Sequence, residues 1–255
     1  MLKNKFALIT GATSGIGLEI AKALAKKGVN IAFNGFGNVD NAISELQKIN
    51  PNIYYFDSNL EHVSEIENML ENAQKIANID ILINNAGIQH VASTTNFDVN
   101  MWDKIMAINL SAVFHTIRLC LPNMQKNNWG RIINIASVHG LVASINKSAY
   151  VTAKHGVIGL TKTVALENAK SNITCNAICP GWVRTPLVEM QIENKAKQDA
   201  TTFELAKQAL LAEKQPSQEF VDTKDVAQLV LFLCSEHAKQ VKGASWNMDG
   251  GWLAQ

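Results

Sequence analysis

The chain has 255 residues, 47% of them hydrophobic and 18% charged, with a formal net charge of +1. That is enough apolar material for one large core, and α/β chains of this length commonly form a single domain. The near-neutral balance gives no reason to expect a nucleic-acid partner, and without an unbroken run of about 18 apolar residues no membrane span is expected.

The start, Met1 to Lys5, passes straight into a strand-like run, Phe6 to Thr10, so no signal peptide is expected. Cys120, Cys175, Cys179 and Cys234 stand in apolar contexts with no Cys-x-x-Cys pair. They read as reduced core residues of a cytoplasmic protein, and no metal site is expected. Strands are predicted near 5–10, 29–34, 52–57, 79–84, 130–136, 172–178 and 243–248. Helices are predicted near 15–27, 38–49, 61–77, 99–126, 148–169 and 222–236. The strands are apolar runs rather than alternations, which fits a parallel sheet covered on both faces. Repeated strand-helix-strand units predict a single-domain, Rossmann-type doubly wound sheet over 1–255. Only the segment from about 185 to 220 breaks the rhythm; rich in Gln, Lys and Glu, it reads as a helical lid insertion.

After the first strand comes Thr10-Gly11-Ala12-Thr13-Ser14-Gly15-Ile16-Gly17, opening a helix. Glycines there let the backbone turn sharply against a pyrophosphate, whose charge a helix N-terminus favours. The exit of the second strand reads Asn34-Gly35-Phe36-Gly37, without the carboxylate that would bind a ribose 2′-hydroxyl. No Arg occurs from Gly11 to Gly37 and the lysines there lie on the first helix, so NAD is expected rather than NADP. Phe36 either packs on the adenosine or caps the core edge. Asn84-Asn85-Ala86-Gly87 ends the fourth strand, with Gln89 and His90 following at the sheet's carboxyl edge. Asn109, inside the long helix, is either a solvent-facing passenger or a cleft residue able to hold a water or a carbonyl.

Ser137 follows the fifth strand, and Tyr150 and Lys154, four apart, share one face of the next helix. A phenol beside an ammonium makes a proton donor and acceptor that works near neutral pH. Tyr-x-x-x-Lys alone is a common pattern, and its weight comes from the glycine turn upstream. His139 and Lys147 are interleaved with these three, Gln89 sits on the adjacent strand's exit, and Gln191 lies on the lid segment. A carboxylate held away from water needs a cation and several donors. Lys147 can supply the charge, Gln89 and Gln191 amides, and His139 an N–H. Alone, Lys147 or Gln191 reads as a solvated surface residue. Trp182, after Cys179-Pro180-Gly181, is a large wall suited to a short chain.

Taken together, the glycine turn, Asn84-Asn85-Ala86-Gly87, Ser137, Tyr150-x-x-x-Lys154 and Pro180-Gly181 resemble a classical short-chain dehydrogenase/reductase along the whole chain. The resemblance implies strand order 3-2-1-4-5-6-7 and a homotetramer pairing the helices near 99–126 and 148–169, with the tail after Trp252 near an interface. It implies Tyr150 as general acid/base and Lys154 lowering the Tyr150 pKa and holding the nicotinamide ribose. Ser137 would orient the substrate oxygen, and Asn109 a relay water. It implies cofactor contacts from Gly11, Thr13, Ser14, Gly15, Ile16, Gly17, Phe36, Asn59, Leu60, Asn85, Tyr150, Lys154, Pro180, Trp182 and Val183. One departure is Asn59, where the family's adenine contact is an Asp. A narrower resemblance covers Asn34–Gly37, Asn85–His90, His139–Ser144, Asn146–Tyr150, Gly181–Glu189 with Gln191, and Glu213–Ser217. These stretches resemble family members that interconvert D-3-hydroxybutyrate and acetoacetate. There Gln89, His139, Lys147 and Gln191 would grip the carboxylate, Ser137 and Tyr150 the hydroxyl, and Trp182 would shape the pocket. The rival readings are another short-chain reductase for a different hydroxy acid or a 3-oxoacyl substrate, a non-catalytic NAD sensor, or a structural oligomer subunit. A sensor would be expected to have lost Tyr150 or Lys154, and both are present.

Overall fold

The strands are short because each needs only enough length to cross one buried layer. In the computed structural model, which describes residues 2–254 and every side chain among them but that of Leu187, they are β1 (Phe6–Ile9), β2 (Asn30–Asn34), β3 (Ile53–Phe56), β4 (Ile81–Asn84), β5 (Gly130–Ile135), β6 (Ile173–Pro180) and β7 (Ser245–Met248). They pair in parallel in the order β3-β2-β1-β4-β5-β6-β7. Every residue of β1, β4, β5 and β6 is buried, whereas the edge strands β3 and β7 are largely half-buried. Burial on both faces is why those central sequences are continuous apolar runs. The chain winds outward from β1 to β3, then returns to place β4 on the other side of β1. That reversal opens a crevice at the carboxyl ends of β1 and β4.

The helices are α1 (Gly15–Lys26), α2 (Val39–Gln47), α3 (Val63–Ile76), α4 (Val99–Met106), α5 (Ala112–Lys126), α6 (Ser148–Glu167), α7 (Pro186–Gln198), α8 (Phe203–Lys214) and α9 (Thr223–Cys234). Ile20, Leu24, Leu46, Val226 and Val230 of α1, α2 and α9 fill one face of the sheet. Leu70, Ile117, Cys120 and Val157 of α3, α5 and α6 fill the other. All four cysteines are buried free thiols. The predicted helix over 99–126 is continuous for 28 residues, but a π turn, Ala107–Ser111, separates α4 from α5. Without holding an unbroken apolar run, this helix is long and apolar enough on average to cross a membrane. Its Ile117, Cys120 and Met124 are buried in the sheet's core, and Lys104 pairs at 3.4 Å with Glu61, so here its apolar character serves tertiary packing.

The segment from 185 to 220 forms two helices rather than one. Ala200, with φ of 50°, lies in the turn between α7 and α8. Val188, Ile192, Ala206 and Leu211 close over Val138, Trp182 and Trp252 as a separate small core at the sheet's carboxyl edge.

A fully buried polar ladder runs beneath that edge. Thr116 Oγ1 donates to Asn84 Oδ1 at 2.7 Å, Asn84 Nδ2 to Asn134 Oδ1 at 2.9 Å, and Asn134 Nδ2 to Thr161 Oγ1 at 2.9 Å. Asn84 and Asn134 are register partners on β4 and β5, so the ladder fixes the heights of the Asn85 and Ser137 exits. Asn134→Ala strands two buried partners and is expected to lower unfolding free energy by about 3 kcal/mol. The drop should appear as a lower urea midpoint at unchanged m-value; an unaltered midpoint contradicts the ladder's role.

Candidate active site

The glycine turn is shaped by close contacts that exclude side chains. Gly11 and Gly15 take φ of 64° and 55°, conformations that suit glycine. A Cβ on Gly17 would collide with the Gly11 carbonyl and with Asn85 Nδ2. Asn85 Nδ2 donates to the carbonyls of Thr10 and Gly11 at 2.9 and 2.8 Å. Thr10 Oγ1 in turn accepts from the amides of Asn85 and Ala86 at 3.0 and 3.1 Å. The β1 and β4 exits are thus bolted together, and the Asn85 side chain is a strut of the turn. Ser14, at the N-cap of α1, makes no side-chain capping bond, so its hydroxyl is available to a ligand.

A cavity of about 350 Å³ runs from this turn across the sheet edge to the two-helix segment. It is lined by Gly11, Thr13, Ser14, Gly15, Ile16, Phe36, Asn59, Leu60 and Asn85 at one end. Gln89, Ser137, His139, Lys147, Tyr150, Lys154, Pro180, Trp182, Val183 and Gln191 line the other. Of the site residues singled out from sequence, Gly17, His90 and Asn109 are not on its wall. Gly17 packs behind the turn. Asn109 is fully buried in the π turn, with Nδ2 donating to the Ile88 carbonyl at 2.8 Å and Oδ1 accepting from the Ile88 amide at 2.9 Å. Its side chain therefore braces the β4 exit beside Gln89 rather than facing solvent. His90 also points away, edge-on to Phe97 at 5.3 Å.

At the β2 exit, Phe36 is 62% exposed at the cavity rim, so it does not cap the core. Thr13 Oγ1 donates to its carbonyl at 2.5 Å. Asn34 is buried and donates to the Ser58 carbonyl at 2.7 Å, tying β2 to the β3 exit. Asn59 Oδ1 accepts from the Glu61 amide at 3.0 Å, which leaves its NH₂ as the free end of the side chain. An amide here can donate to an adenine ring nitrogen as well as accept.

Tyr150 and Lys154 stand on the first turns of α6, which reaches β5 closely because a Cβ on Gly140 would lie 2.9 Å from the Lys154 carbonyl. Lys154 is 4% exposed, its Nζ donating to the Ile135 carbonyl at 2.8 Å and lying 5.7 Å from the centre of the Tyr150 ring. Ser137 Oγ accepts from the His139 amide at 3.1 Å. The His139 ring contacts Ser144 Oγ at 2.8 Å. Lys147 Nζ sits 4.9 Å from the centre of the Trp182 ring. Gln89 Nε2 and Trp182 Nε1 are both buried with no partner among the described residues. Trp252 is the residue the sequence reading missed. Gly250 and Gly251, at φ of 57° and 92°, turn the chain just before it. The Trp252 ring then lines the cavity, 5.4 Å from His139 and 6.0 Å from Trp182.

A model of the short chain dehydrogenase family matches residues 5–196. The chain belongs to the short-chain dehydrogenase family. It is 55% identical over 258 residues to a D-beta-hydroxybutyrate dehydrogenase of Cupriavidus necator, covering 100% of both chains. It is 49% identical to a D-beta-hydroxybutyrate dehydrogenase of Rhizobium meliloti, covering 99% of this chain and 100% of that one. Among solved structures, an actinorhodin polyketide ketoreductase variant with NADPH superposes with a TM-score of 0.92 at 32% identity, covering 99% of this chain and 98% of that one.

As a short-chain dehydrogenase the chain uses a nicotinamide dinucleotide, and the residues present fit one. The glycine turn has no room for a Cβ at Gly17, the Ser14 hydroxyl is uncommitted, and one cavity connects this turn to Tyr150 and Lys154. Within the protein's own field, burial raises the Tyr150 phenol above its ordinary value, while the Ser137 hydrogen bond works the other way. Lys154 does not pull the phenol down at this separation. Instead burial pushes Lys154 down to about 8. Burial therefore moves the two values apart, so a charged Lys154 readily returns a proton to a phenolate, while the phenol gives one up to a neutral Lys154 only at a cost. Burial, and then the Lys147 charge, pushes His139 down to about 3, so it is neutral throughout the physiological range.

Lys154 also has a stability consequence. Above its folded value near 8 and below the ordinary 10.5, the unfolded chain binds more proton than the folded one. Stability therefore rises with pH across that window, and charged Lys154 costs stability below it. Lys154→Met is expected to raise Tm at pH 7 while abolishing turnover. A lowered Tm in scanning calorimetry contradicts this desolvation cost.

Proposed function

We propose that the chain catalyses the reversible, NAD-linked oxidation of D-3-hydroxybutyrate to acetoacetate. The observation that carries the substrate is the far end of the cavity. The Lys147 ammonium and the buried, unpartnered Gln89 Nε2 belong to the wall that also holds Tyr150 and Ser137. Burial pushes the Lys147 pKa down, with Glu213 opposing, so an anion arriving there relieves a desolvated charge. A neutral His139 completes the donor set with Gln191. The aromatic wall of Trp182 and Trp252 leaves a small apolar niche. Two relatives at 55% and 49% identity carry the D-beta-hydroxybutyrate dehydrogenase name, which supports the same substrate here. The lack of a cation at the Asn34–Gly37 exit supports NAD over a 2′-phosphorylated cofactor.

The dinucleotide, held by the glycine turn and the Ser14 hydroxyl, would supply the hydride acceptor for carbon 3 of the acid. Ser137 Oγ and Tyr150 Oη hold the hydroxyl, and Tyr150 takes its proton as carbon 3 becomes a ketone. Lys154, charged at neutral pH and fixed to the Ile135 carbonyl, stands behind the phenol as the group that passes protons on. In the reverse direction Tyr150 returns a proton to the developing alkoxide. Lys147, Gln89, His139 and Gln191 hold the carboxylate and so fix where the hydroxyl meets Ser137 and Tyr150. Asn109 keeps the Ile88–Gln89 exit in place. The α7–α8 segment is a lid in this reading, and a cytoplasmic homotetramer is supported by exposed Phe114 and Leu166 on α5 and α6.

Two variants test the assignment. Tyr150→Phe is expected to lower kcat by roughly 10³-fold while leaving NAD affinity near wild type; a near-normal rate sinks the acid/base role. Lys147→Ala should raise KM for the acid by about tenfold or more with a smaller change in kcat. An unchanged KM removes the carboxylate site.

A further inference from the structure

Behind the cavity's outer wall, one buried side chain holds several pieces of chain at once. Gln215 ends α8 and is 1% exposed. Its Oε1 accepts from the Trp182 amide at 2.8 Å, and its Nε2 donates to the Glu219 carbonyl. Both ends of the amide are therefore committed to backbone. The packing around it is tight. A Cβ on Gly181 would lie 2.5 Å from Gln215 Oε1, and one on Gly250 would lie 2.7 Å from Gln215 Cγ. The Ser217 amide donates to the Gly250 carbonyl at 3.0 Å, and the Gly181 amide to the Met248 carbonyl at 2.9 Å. The β6 exit, the end of α8 and the turn that carries Trp252 thus meet on this one side chain.

The consequence lies on the other side of those backbones. Trp182 and Trp252 face each other at 6.0 Å. Lys147 rests on the first, and His139 packs against the second. Gln215 is not on the cavity wall. It is 33 residues from Trp182 in sequence and supplies the acceptor for the Trp182 amide, while the Trp182 carbonyl accepts from the Val221 amide at 2.9 Å.

We infer that Gln215 is a positioning residue for the acid-binding end of the site. It sets where Trp182 and Trp252 stand and, through Trp182, where the Lys147 ammonium rests. Losing Oε1 leaves the buried Trp182 amide without an acceptor, so the β6 exit must shift to find one. The adenosine and pyrophosphate end is built on β1, β2 and β4 and does not share this junction, which reaches the dinucleotide only at the β6 exit, through Pro180, Trp182 and Val183. The effect is therefore larger for the acid than for the dinucleotide. A strut with only a structural role would lower Tm and weaken both substrates in proportion. The hydroxy-acid reading above enters only as the choice of probe.

The test uses Gln215→Met, which keeps the length and removes the amide, and Gln215→Glu, which keeps the acceptor for Trp182. In Q215M, KM for D-3-hydroxybutyrate is expected to rise about tenfold with kcat within about threefold. KM for NAD should change by less than about threefold, and the preference for the four-carbon acid over 3-hydroxypentanoate should shrink. Q215E should recover most of both losses. Acrylamide quenching of indole emission reads the wall without turnover, and it should increase in Q215M and return towards wild type in Q215E. Should Q215M not fold, Gln215→Asn, one methylene too short for Trp182, takes its place with the same expectation. Unchanged acid KM and quenching in a folded variant overturn the inference. So do parallel losses for acid and NAD, or no recovery in Q215E. If the wild type does not oxidise D-3-hydroxybutyrate, the substrate reading fails, and the quenching series still decides the role of Gln215.

Discussion

The structure depends on one buried ion contact, the Lys154 ammonium on the Ile135 carbonyl at 2.8 Å. It fastens α6 to the end of β5 inside a region that also buries the Tyr150 phenol. Desolvation there works against both charged forms, driving the lysine down and the tyrosine up. A globular protein would gain by replacing such a pair with apolar groups. Keeping it makes sense only where a proton must move, and the surrounding fold is arranged to tolerate it. Gly140 lacks the Cβ that would strike α6, and the Asn84–Asn134 ladder fixes the strand exits that face the pair.

Around that contact the site divides its work by position in the sheet. The exits of β1, β2 and β4 form one rigid block, bolted by Asn85 and Thr10 and by Asn34 to the β3 exit. That block is shaped for a flat, phosphate-bearing ligand. The exits of β5 and β6, with α7 and α8 above them, form a second region of aromatic rings and one cation. The two open onto one cavity, with Tyr150, Lys154 and Ser137 between them. A protein built this way can change its small substrate by altering the second region while leaving the first, which is the general manner in which one fold carries many functions.

Much of this was legible in the residues because local and global requirements coincide. The apolar runs 79–84 and 130–136 became β4 and β5 within two residues at either end, since both-face burial leaves a strong pattern. The glycine turn and the Tyr150–Lys154 spacing were legible for a similar reason: each encodes a contact made within a few residues. The missed features all depend on contacts distant in sequence. Trp252 enters the cavity only because two glycines far along the chain turn it inward. Gln215 matters through a bond to Trp182 that no periodicity announces. Asn109 reads as a helix-interior residue, and its meaning comes from a π turn that rotates it onto Ile88. The apolar average of the 99–126 helix looks like a membrane span until its packing on the sheet is seen.

The central claim is that a carboxylate held at Lys147 presents one face of carbon 3 to the cofactor while Tyr150 takes the hydroxyl proton. The most direct measurement is the initial rate of NAD reduction with D- and L-3-hydroxybutyrate and with the methyl ester of the D acid. The account predicts rapid turnover of the D acid alone, with the L acid and the neutral ester both poor. Comparable rates for the two enantiomers, or an ester oxidised as efficiently as the acid, would contradict it.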